Sequence, residues 1–127
     1  MNIVDSSGWL AYFADEPTAD FFAEPIECVE DLLVPSITLY EVFKVLLREA
    51  GKERAFQGVA VMLQGRIVEL NTEYSLESAA IGLAEGLAVA DSIIYATALK
   101  CDGILWTQDV HFEGKANVKY TSKVTEA

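Results

Sequence analysis

Four acidic residues carry most of the chemical information in this sequence, although they are scattered across its whole length. Asp5, Glu41, Asp91 and Asp109 each stand where an apolar segment meets a turn or the start of a predicted helix. If the apolar segments are parallel strands, their carboxyl ends meet at one edge of a sheet and bring these acids together. Hard oxygen ligands suit Mg²⁺ or Mn²⁺, and such a cluster is suited to hydrolysis of phosphodiester bonds. The pattern therefore predicts a metal-dependent nuclease.

Each of the four acids also has a purely structural interpretation. Asp5 precedes a predicted helix and would cap it, and the segment from Thr38 to Glu41 spells the T-x-x-E capping box. Asp91 is a plausible helix N-cap, and Asp109 fits an ordinary turn after a strand. Carboxylates packed together without a cation raise one another's pKa values, so convergence of all four would indicate a bound ion. A cap and a ligand are not mutually exclusive, because a helix N-terminus also offers amide donors to a phosphate.

Several other site chemistries lack their usual sequence patterns. The two cysteines, Cys28 and Cys101, have no CxxC spacing, and His111 is the only histidine, so no zinc site is expected. We expect His111 to be a hydrogen-bonding surface residue rather than a ligand. The chain has neither a nucleophile-elbow motif nor a Gly-rich phosphate loop, which disfavours covalent hydrolases and nucleotide-binding proteins.

The charge of the chain limits how it would bind nucleic acid. Twenty acidic against nine basic residues give a formal charge of −11, which repels nucleic acid at long range and attracts divalent cations or a basic partner. Binding of nucleic acid would then need a local basic patch. Lys44, Arg48 and Lys52 lie on one face of a helix predicted from Thr38 to Ala50, opposite its apolar face. These three residues form either a solvated helix surface or a track for phosphates.

The predicted elements indicate an α/β fold in one domain, residues 1–127. Short, continuous apolar runs alternate with helical patterns, which is typical of a parallel sheet covered on both faces, a three-layer α/β/α sandwich. The hydrophobic content of 52% suggests that a partner covers some of the apolar surface. The first two helices carry five aromatic residues that belong either to the core or to a groove for another chain's helix: Trp9, Tyr12, Phe13, Phe21 and Phe22. No signal peptide or 18-residue apolar run is evident, so we expect a cytoplasmic protein without membrane contact.

Four segments together resemble PIN-domain ribonucleases of the VapC toxin type, nearly from end to end: IVDSSGWLAYF, SITLYEVFKVLL, VADSIIYATALKCDGILWTQDVHF and NVKYTSK. The resemblance implies a five-stranded parallel sheet with strand order 3-2-1-4-5. It also implies that Asp5, Glu41, Asp91 and Asp109 hold Mg²⁺ or Mn²⁺ for cleavage of RNA by metal-activated water. A cognate antitoxin whose C-terminal segment occupies the active cleft and a homodimer are implied as partners.

Within that resemblance we expect Asp5 and Asp91 to bind the principal ion directly, with Glu41 and Asp109 acting through water or a second ion. Ser6 and Thr107, which adjoin these positions, are expected to orient carboxylates or bound water. Some relatives carry a further aspartate where this chain has His111, so no fifth acid is expected. The alternative function is a non-catalytic PIN-fold protein that binds RNA or a protein partner. A metal-dependent phosphatase is less favoured, because Asp5 is not followed by a D-x-D arrangement.

Overall fold

A single parallel sheet organises the chain. The computed structural model describes residues 1–123, so the last four residues of the predicted domain lie outside the described part. The strands are β1 (Asn2–Val4), β2 (Leu32–Pro35), β3 (Arg66–Val68), β4 (Ile104–Thr107) and β5 (Val118–Tyr120). Their order is β3-β2-β1-β4-β5, and every neighbouring pair is parallel. The predicted fold class and strand order are confirmed.

Helices cover both faces of this sheet. They are α1 (Ser6–Phe13), α2 (Ala19–Glu27), α3 (Ser36–Ala50), α4 (Lys52–Met62), α5 (Thr72–Glu85) and α6 (Val89–Lys100). Two short 3-10 helices, Val29–Asp31 and Val110–Phe112, lie next to β2 and β4. Because each parallel connection must return to the start of the next strand, the helices run between strands and bury both faces of the sheet.

The sheet separates two apolar cores, and the central strand β1 contributes a residue to each. Ile3 and Val4 are both fully buried, and as consecutive residues of a strand they point to opposite faces. Val4 belongs to a cluster that contains Trp9 and Phe22 of the first two helices, with Val34, Val42, Met62 and Trp106. Ile3 belongs to the other cluster, with Leu33, Ile94, Tyr95, Leu105 and Phe112. This division explains why the strands are continuous apolar runs rather than alternating patterns.

The start of α3 differs from the sequence-based prediction. The helix begins at Ser36, directly after Pro35, which is its N-cap and makes no side-chain capping bond. The interpretation of Thr38 to Glu41 as a capping box is therefore wrong, because Thr38 already lies inside the first turn of the helix. Its buried hydroxyl has no hydrogen-bond partner among the described residues.

The start of α6 also lies earlier than predicted. The helix begins at Val89 with Ala88 as its N-cap, so the interpretation of Asp91 as an N-cap is wrong. Asp91 instead occupies the first turn of α6, where the positive end of the helix dipole favours a carboxylate. The shift of two residues leaves Asp91 at the same edge of the sheet.

Among residues 1–123, no single helix is long and apolar enough to cross a membrane. Only α5 and α6 taken together reach that length and composition, with a bend of 107° between them.

Candidate metal centre

The four predicted acids lie at or just beyond the carboxyl edge of the sheet, but on elements of different kinds. Asp5 follows β1 directly and caps α1. Glu41 is the sixth residue of α3, more than one turn from the helix start, so it does not stand at a junction as predicted. Asp91 is the third residue of α6, and Asp109 follows β4 and caps the 3-10 helix Val110–Phe112.

Asp5 is the most deeply buried of these acids, with 4% of its surface exposed. Its Oδ1 accepts hydrogen bonds from the backbone N–H of Gly8 and from the Ser7 hydroxyl, both at 2.9 Å. Its Oδ2 accepts a hydrogen bond of 2.5 Å from the Thr107 hydroxyl. The carboxylate is thus both a helix cap and a fixed acceptor at the centre of the edge, in agreement with the view that the two roles coexist.

Hydroxyl groups also connect Asp109 and Glu41 to this centre. The Thr107 Oγ1 that donates to Asp5 accepts a hydrogen bond from the backbone N–H of Asp109 at 2.9 Å. The Ser6 hydroxyl donates to Glu41 Oε1 at 2.6 Å and so joins the start of α1 to α3. Ser6 and Thr107, the two hydroxyl residues singled out in the sequence, each donate to one of the four acids.

Asp109 and His111 form a compact pair. Asp109 Oδ1 accepts a hydrogen bond from the backbone N–H of His111 at 3.0 Å, and it lies 2.9 Å from the Nδ1 of the same residue. Capping of the short helix therefore holds the imidazole against the carboxylate. The expectation that His111 makes a surface hydrogen bond agrees with this contact.

Burial and the charges of neighbouring acids raise the pKa values of Asp5 and Asp91. Burial raises the pKa of Asp5 to about 6 and outweighs the opposing hydrogen bonds from Thr107, Gly8 and Ser7, while the charge of Asp109 adds to the rise. Burial also raises the pKa of Asp91, with further contributions from the charges of Asp109 and Glu41, and His111 opposes that rise. A divalent cation placed here would relieve both the burial penalty and the repulsion.

Asp91, Asp109 and His111 form a group of possible metal ligands within the described residues. One ligand atom from each of these residues lies within 4.8 Å of the others. The sequence-based hypothesis paired Asp91 with Asp5 as the direct ligands, whereas the group within this distance contains Asp109 and His111 and does not contain Asp5. The carboxylate oxygens of this group suit Mg²⁺ or Mn²⁺, and its imidazole nitrogen suits first-row transition metals.

Sequence reasoning missed one buried residue that positions this site. Gln108 lies between Thr107 and Asp109 and is 5% exposed. Its Oε1 accepts a hydrogen bond from the Thr18 hydroxyl at 2.8 Å, and its Nε2 donates to the backbone carbonyl of Ser7 at 3.3 Å. The amide of Gln108 thus connects the end of β4 by hydrogen bonds to the start of α1 and to the segment before α2. A polar residue between two singled-out positions is a weak signal for such a role.

The residues predicted to bind RNA are exposed. Lys44 lies over the ring of Tyr40, with Nζ 5.7 Å from the ring centroid, and Arg48 pairs with Glu49 at 3.2 Å. Lys52 is exposed at the start of α4. All three side chains are therefore accessible to a ligand.

The aromatic group of the first two helices belongs mainly to the core. Trp9 and Phe22 are fully buried, and Tyr12, Phe13 and Phe21 are half-buried. Phe13 also lines a groove of about 710 Å³ between α1, α3 and α4, together with Leu46 and Val61. Glu16 and Glu49 lie on the same groove and give it an acidic component.

Comparisons with known proteins agree with the fold. The family model described as PIN domain matches residues 3–118. A search of curated protein sequences gave no match.

Solved structures similar to this chain come from several bacteria. A toxin–antitoxin complex from Klebsiella pneumoniae contains a chain with 20% identity and a TM-score of 0.80, and the match covers 98% of this chain and 100% of that chain. VapC20 of Mycobacterium tuberculosis, a toxin that cleaves the sarcin–ricin loop, has 17% identity and a TM-score of 0.75, with 93% and 97% covered. VapBC2 of Rickettsia felis, bound to a promoter DNA fragment, has 15% identity and a TM-score of 0.71, with 95% and 97% covered. At these identities the likeness shows a shared fold.

The raised pKa of Asp5 predicts a specific dependence of stability on pH. Between the ordinary value of 3.8 and about 6, the folded protein holds a proton on Asp5 that the unfolded chain has lost. The free energy of unfolding of the ion-free protein should therefore decrease as pH rises through this window and stay lower above it, by up to about 3 kcal/mol from this group. Urea unfolding in EDTA at pH 4 and pH 8 measures the decrease.

Asp5→Asn is the matched variant for this measurement, because an asparagine still caps the helix but does not titrate. The other carboxylates are present in both proteins, so the difference between the two unfolding free energies reports on Asp5 and its interaction with Asp109. The variant should gain stability relative to the wild type on going from pH 4 to pH 8. A difference that stays constant with pH would contradict the assignment.

Proposed function

The chain belongs to the PIN-domain family, and from this membership we propose that it is a divalent-metal-dependent endoribonuclease and the toxin of a toxin–antitoxin pair. The observation that carries the proposal is electrostatic. The charge of Asp109 contributes to the raised pKa values of both Asp5 and Asp91, and that of Glu41 contributes to the latter. Burial and mutual repulsion make ionisation of these carboxylates unfavourable. A bound cation would offset that unfavourable energy and would explain why the acids lie together.

In the proposed reaction, the residues divide the work of holding an ion and orienting its ligands. Ligand atoms of Asp91 and Asp109 lie within 4.8 Å of each other. These two residues would hold Mg²⁺ or Mn²⁺, with Glu41 and Asp5 completing the site. When bound, such an ion polarises the phosphodiester and makes water a better nucleophile. The Ser6 hydroxyl donates to one oxygen of Glu41, and the Thr107 hydroxyl donates to one oxygen of Asp5, so both hydrogen bonds help to orient these carboxylates.

RNA is the proposed substrate, and Lys44, Arg48 and Lys52 are proposed to bind its backbone. The relative VapC20 cleaves the sarcin–ricin loop, which supports RNA as the substrate class. The basic residues are exposed on α3 and at the start of α4, and the pair of Arg48 with Glu49 is itself exposed, so it would yield to a phosphate at little cost. A local patch is needed because the chain as a whole carries a charge of −11.

A cognate antitoxin is the proposed protein partner. The similar chain from K. pneumoniae occurs in a toxin–antitoxin complex, which supports a partner of this kind. We propose that the antitoxin places its C-terminal segment at the acidic edge, where the charge of this chain favours basic side chains. A cytoplasmic location is part of the same proposal.

A homodimer is proposed through the outer face of α5 and the start of α6. Leu83, Leu76 and Val89 are the most exposed large apolar side chains of the described residues, and Leu83 is 88% exposed. Beside Leu83 lies a groove of about 560 Å³ lined by small residues, including Ala79 and Gly82. A surface with both a protruding leucine and a groove can be complementary to itself, as a two-fold interface requires.

Replacement of Asp91 by asparagine should abolish RNA cleavage. The variant removes one charge and one anionic ligand from the site, so cleavage of a cellular RNA pool in Mg²⁺ or Mn²⁺ should decrease at least about a hundredfold. Gel analysis of the fragments in the presence of each ion and of EDTA measures this.

Asp20→Asn is the matched control, because Asp20 is also an acid in the first turn of a helix but is exposed on α2. It should retain full activity. Equal cleavage by the Asp91→Asn variant would reject the site, and no cleavage by an ion-loaded wild type would favour a non-catalytic binding role.

Loss of two basic residues should weaken RNA binding in a salt-dependent way. In the Asp91→Asn background, Lys44→Ala combined with Arg48→Ala should reduce the slope of log K against log salt by about 1.4, since each contact to single-stranded RNA contributes about 0.7. Fluorescence anisotropy at several salt concentrations measures the slope. Arg54→Ala with Arg66→Ala removes the same charge elsewhere and should leave the slope unchanged; equal slopes for the two pairs would disprove the track.

Leu83→Glu should convert the proposed dimer to a monomer. The side chain is exposed in one protomer, so the fold should be unaffected, whereas a buried carboxylate at a self-complementary interface carries a large penalty. Light scattering coupled to gel filtration gives the mass. Leu63→Glu, at the end of α4, is the control and should remain dimeric. A monomeric wild type would contradict the proposal.

A further inference from the structure

His111 lies closer to the acidic centre than its expected surface role requires. Its Nδ1 is 2.9 Å from Asp109 Oδ1, and its ligand nitrogen belongs to the group with Asp91 and Asp109 whose atoms lie within 4.8 Å of one another. The side chain is 75% exposed, so packing does not force it into this position. Asp109 accepts a hydrogen bond from the backbone N–H of His111, and this bond positions the backbone from which the imidazole extends.

The distance between Nδ1 and Oδ1 is also the distance expected between two neighbouring ligands of one ion. Bonds of about 2.1 Å at right angles in an octahedral site put adjacent donor atoms about 3 Å apart. The structure already has Nδ1 and the carboxylate oxygen at this separation. An ion could therefore contact both atoms with little movement of either side chain, because a neutral imidazole can carry its proton on Nε2 and leave Nδ1 free to bind.

An imidazole ligand changes which ion a carboxylate site prefers. Carboxylates and water suit Mg²⁺, whereas imidazole nitrogen suits the transition metals, whose affinity rises from Mn²⁺ onward along the first row. Mg²⁺ would gain less from a nitrogen ligand because it is a hard ion that favours oxygen.

We propose that His111 binds the ion directly together with Asp91 and Asp109, and that it biases the site away from Mg²⁺ and toward Mn²⁺. The inference rests on the proposed function, because it concerns the ion of the same site. It adds a ligand that the four-acid hypothesis omitted. It also chooses between the two ions that the acids alone leave equivalent.

The test measures ion binding without RNA, using the untagged protein. Because His111 is the chain's only histidine, a ¹⁴N imidazole coupling in the pulsed electron paramagnetic resonance spectrum of bound Mn²⁺ has one source. The wild type should show this coupling, and His111→Asn should lose it. Titrations with Mn²⁺, and competition by Mg²⁺, give the two affinities.

His111→Asn is the informative variant because its amide keeps a polar group beside Asp109 but has no imidazole nitrogen to offer a metal ion. It should lower Mn²⁺ affinity at least about tenfold and change Mg²⁺ affinity by less than about threefold. His111→Asp should shift the preference toward Mg²⁺, since it replaces nitrogen with oxygen. Circular dichroism checks that the variants are folded.

Three outcomes would overturn the inference, and they are distinguishable. If Mn²⁺ binds, Asp91→Asn abolishes binding, and the wild type lacks the nitrogen coupling, the metal site stands and His111 only orients Asp109. If neither ion binds the wild type, the metal site itself is wrong, and the proposed nuclease function falls with it. Retained Mn²⁺ preference in His111→Asn likewise rejects direct ligation.

Discussion

The pairing of β1 with β4 is the constraint on which the acidic centre depends. Val4 lies opposite Trp106 in the parallel register, and the backbone N–H of Asp5 donates to the carbonyl of Trp106. The residues that follow these two, Asp5 and Thr107, are therefore neighbours, and their side chains share a short hydrogen bond. The Thr107 hydroxyl then accepts from Asp109, so one strand pairing determines the separation of two of the four acids. A register shift of one residue would point the β4 side chains to the opposite face and break this connection.

Stability and the proposed activity make opposite demands on this edge. Asp5 has its charge buried, and its hydrogen bonds reduce that cost without removing it, which is why its pKa rises to about 6. The two apolar cores, one on each face of the sheet at β1, stabilise the fold and offset this cost. The site is thus held by its surroundings rather than by attraction among its own groups. Ion binding would stabilise the folded protein at this edge, because a ligand that binds only the folded state increases its stability.

The sequence predicted the features that depend on local pattern. Continuous apolar runs gave the strands, and the resemblance to a known family gave their order. Asp5 was placed correctly as both cap and edge residue because its signal, an acid between a strand and a helix, is local. The starts of α3 and α6 were misplaced because Pro35 and Ala88 serve as N-caps without a side-chain capping bond, so no cap residue marks either start.

Features that depend on distant partners were not predictable. The partner of Gln108 is Thr18, which is 90 residues away, and no spacing rule connects them. For His111, the sequence shows that it follows Asp109 by two residues, but the direction of the imidazole depends on the short helix that Asp109 caps. The side-chain geometry of a site therefore needs the tertiary structure even where its residues are found by pattern.

The long separation between the two halves of the centre has a consequence during synthesis. Asp5 and Thr107 are 102 residues apart in sequence, and β1 gains its β4 partner only after almost the whole domain has been made. Contacts of such high sequence separation form slowly, because the chain must close a long loop first. A nascent chain would carry Asp5 long before it carries Asp109, and the centre cannot assemble until both have been synthesised. Assembly of the acidic centre is therefore a late event in the synthesis of this domain.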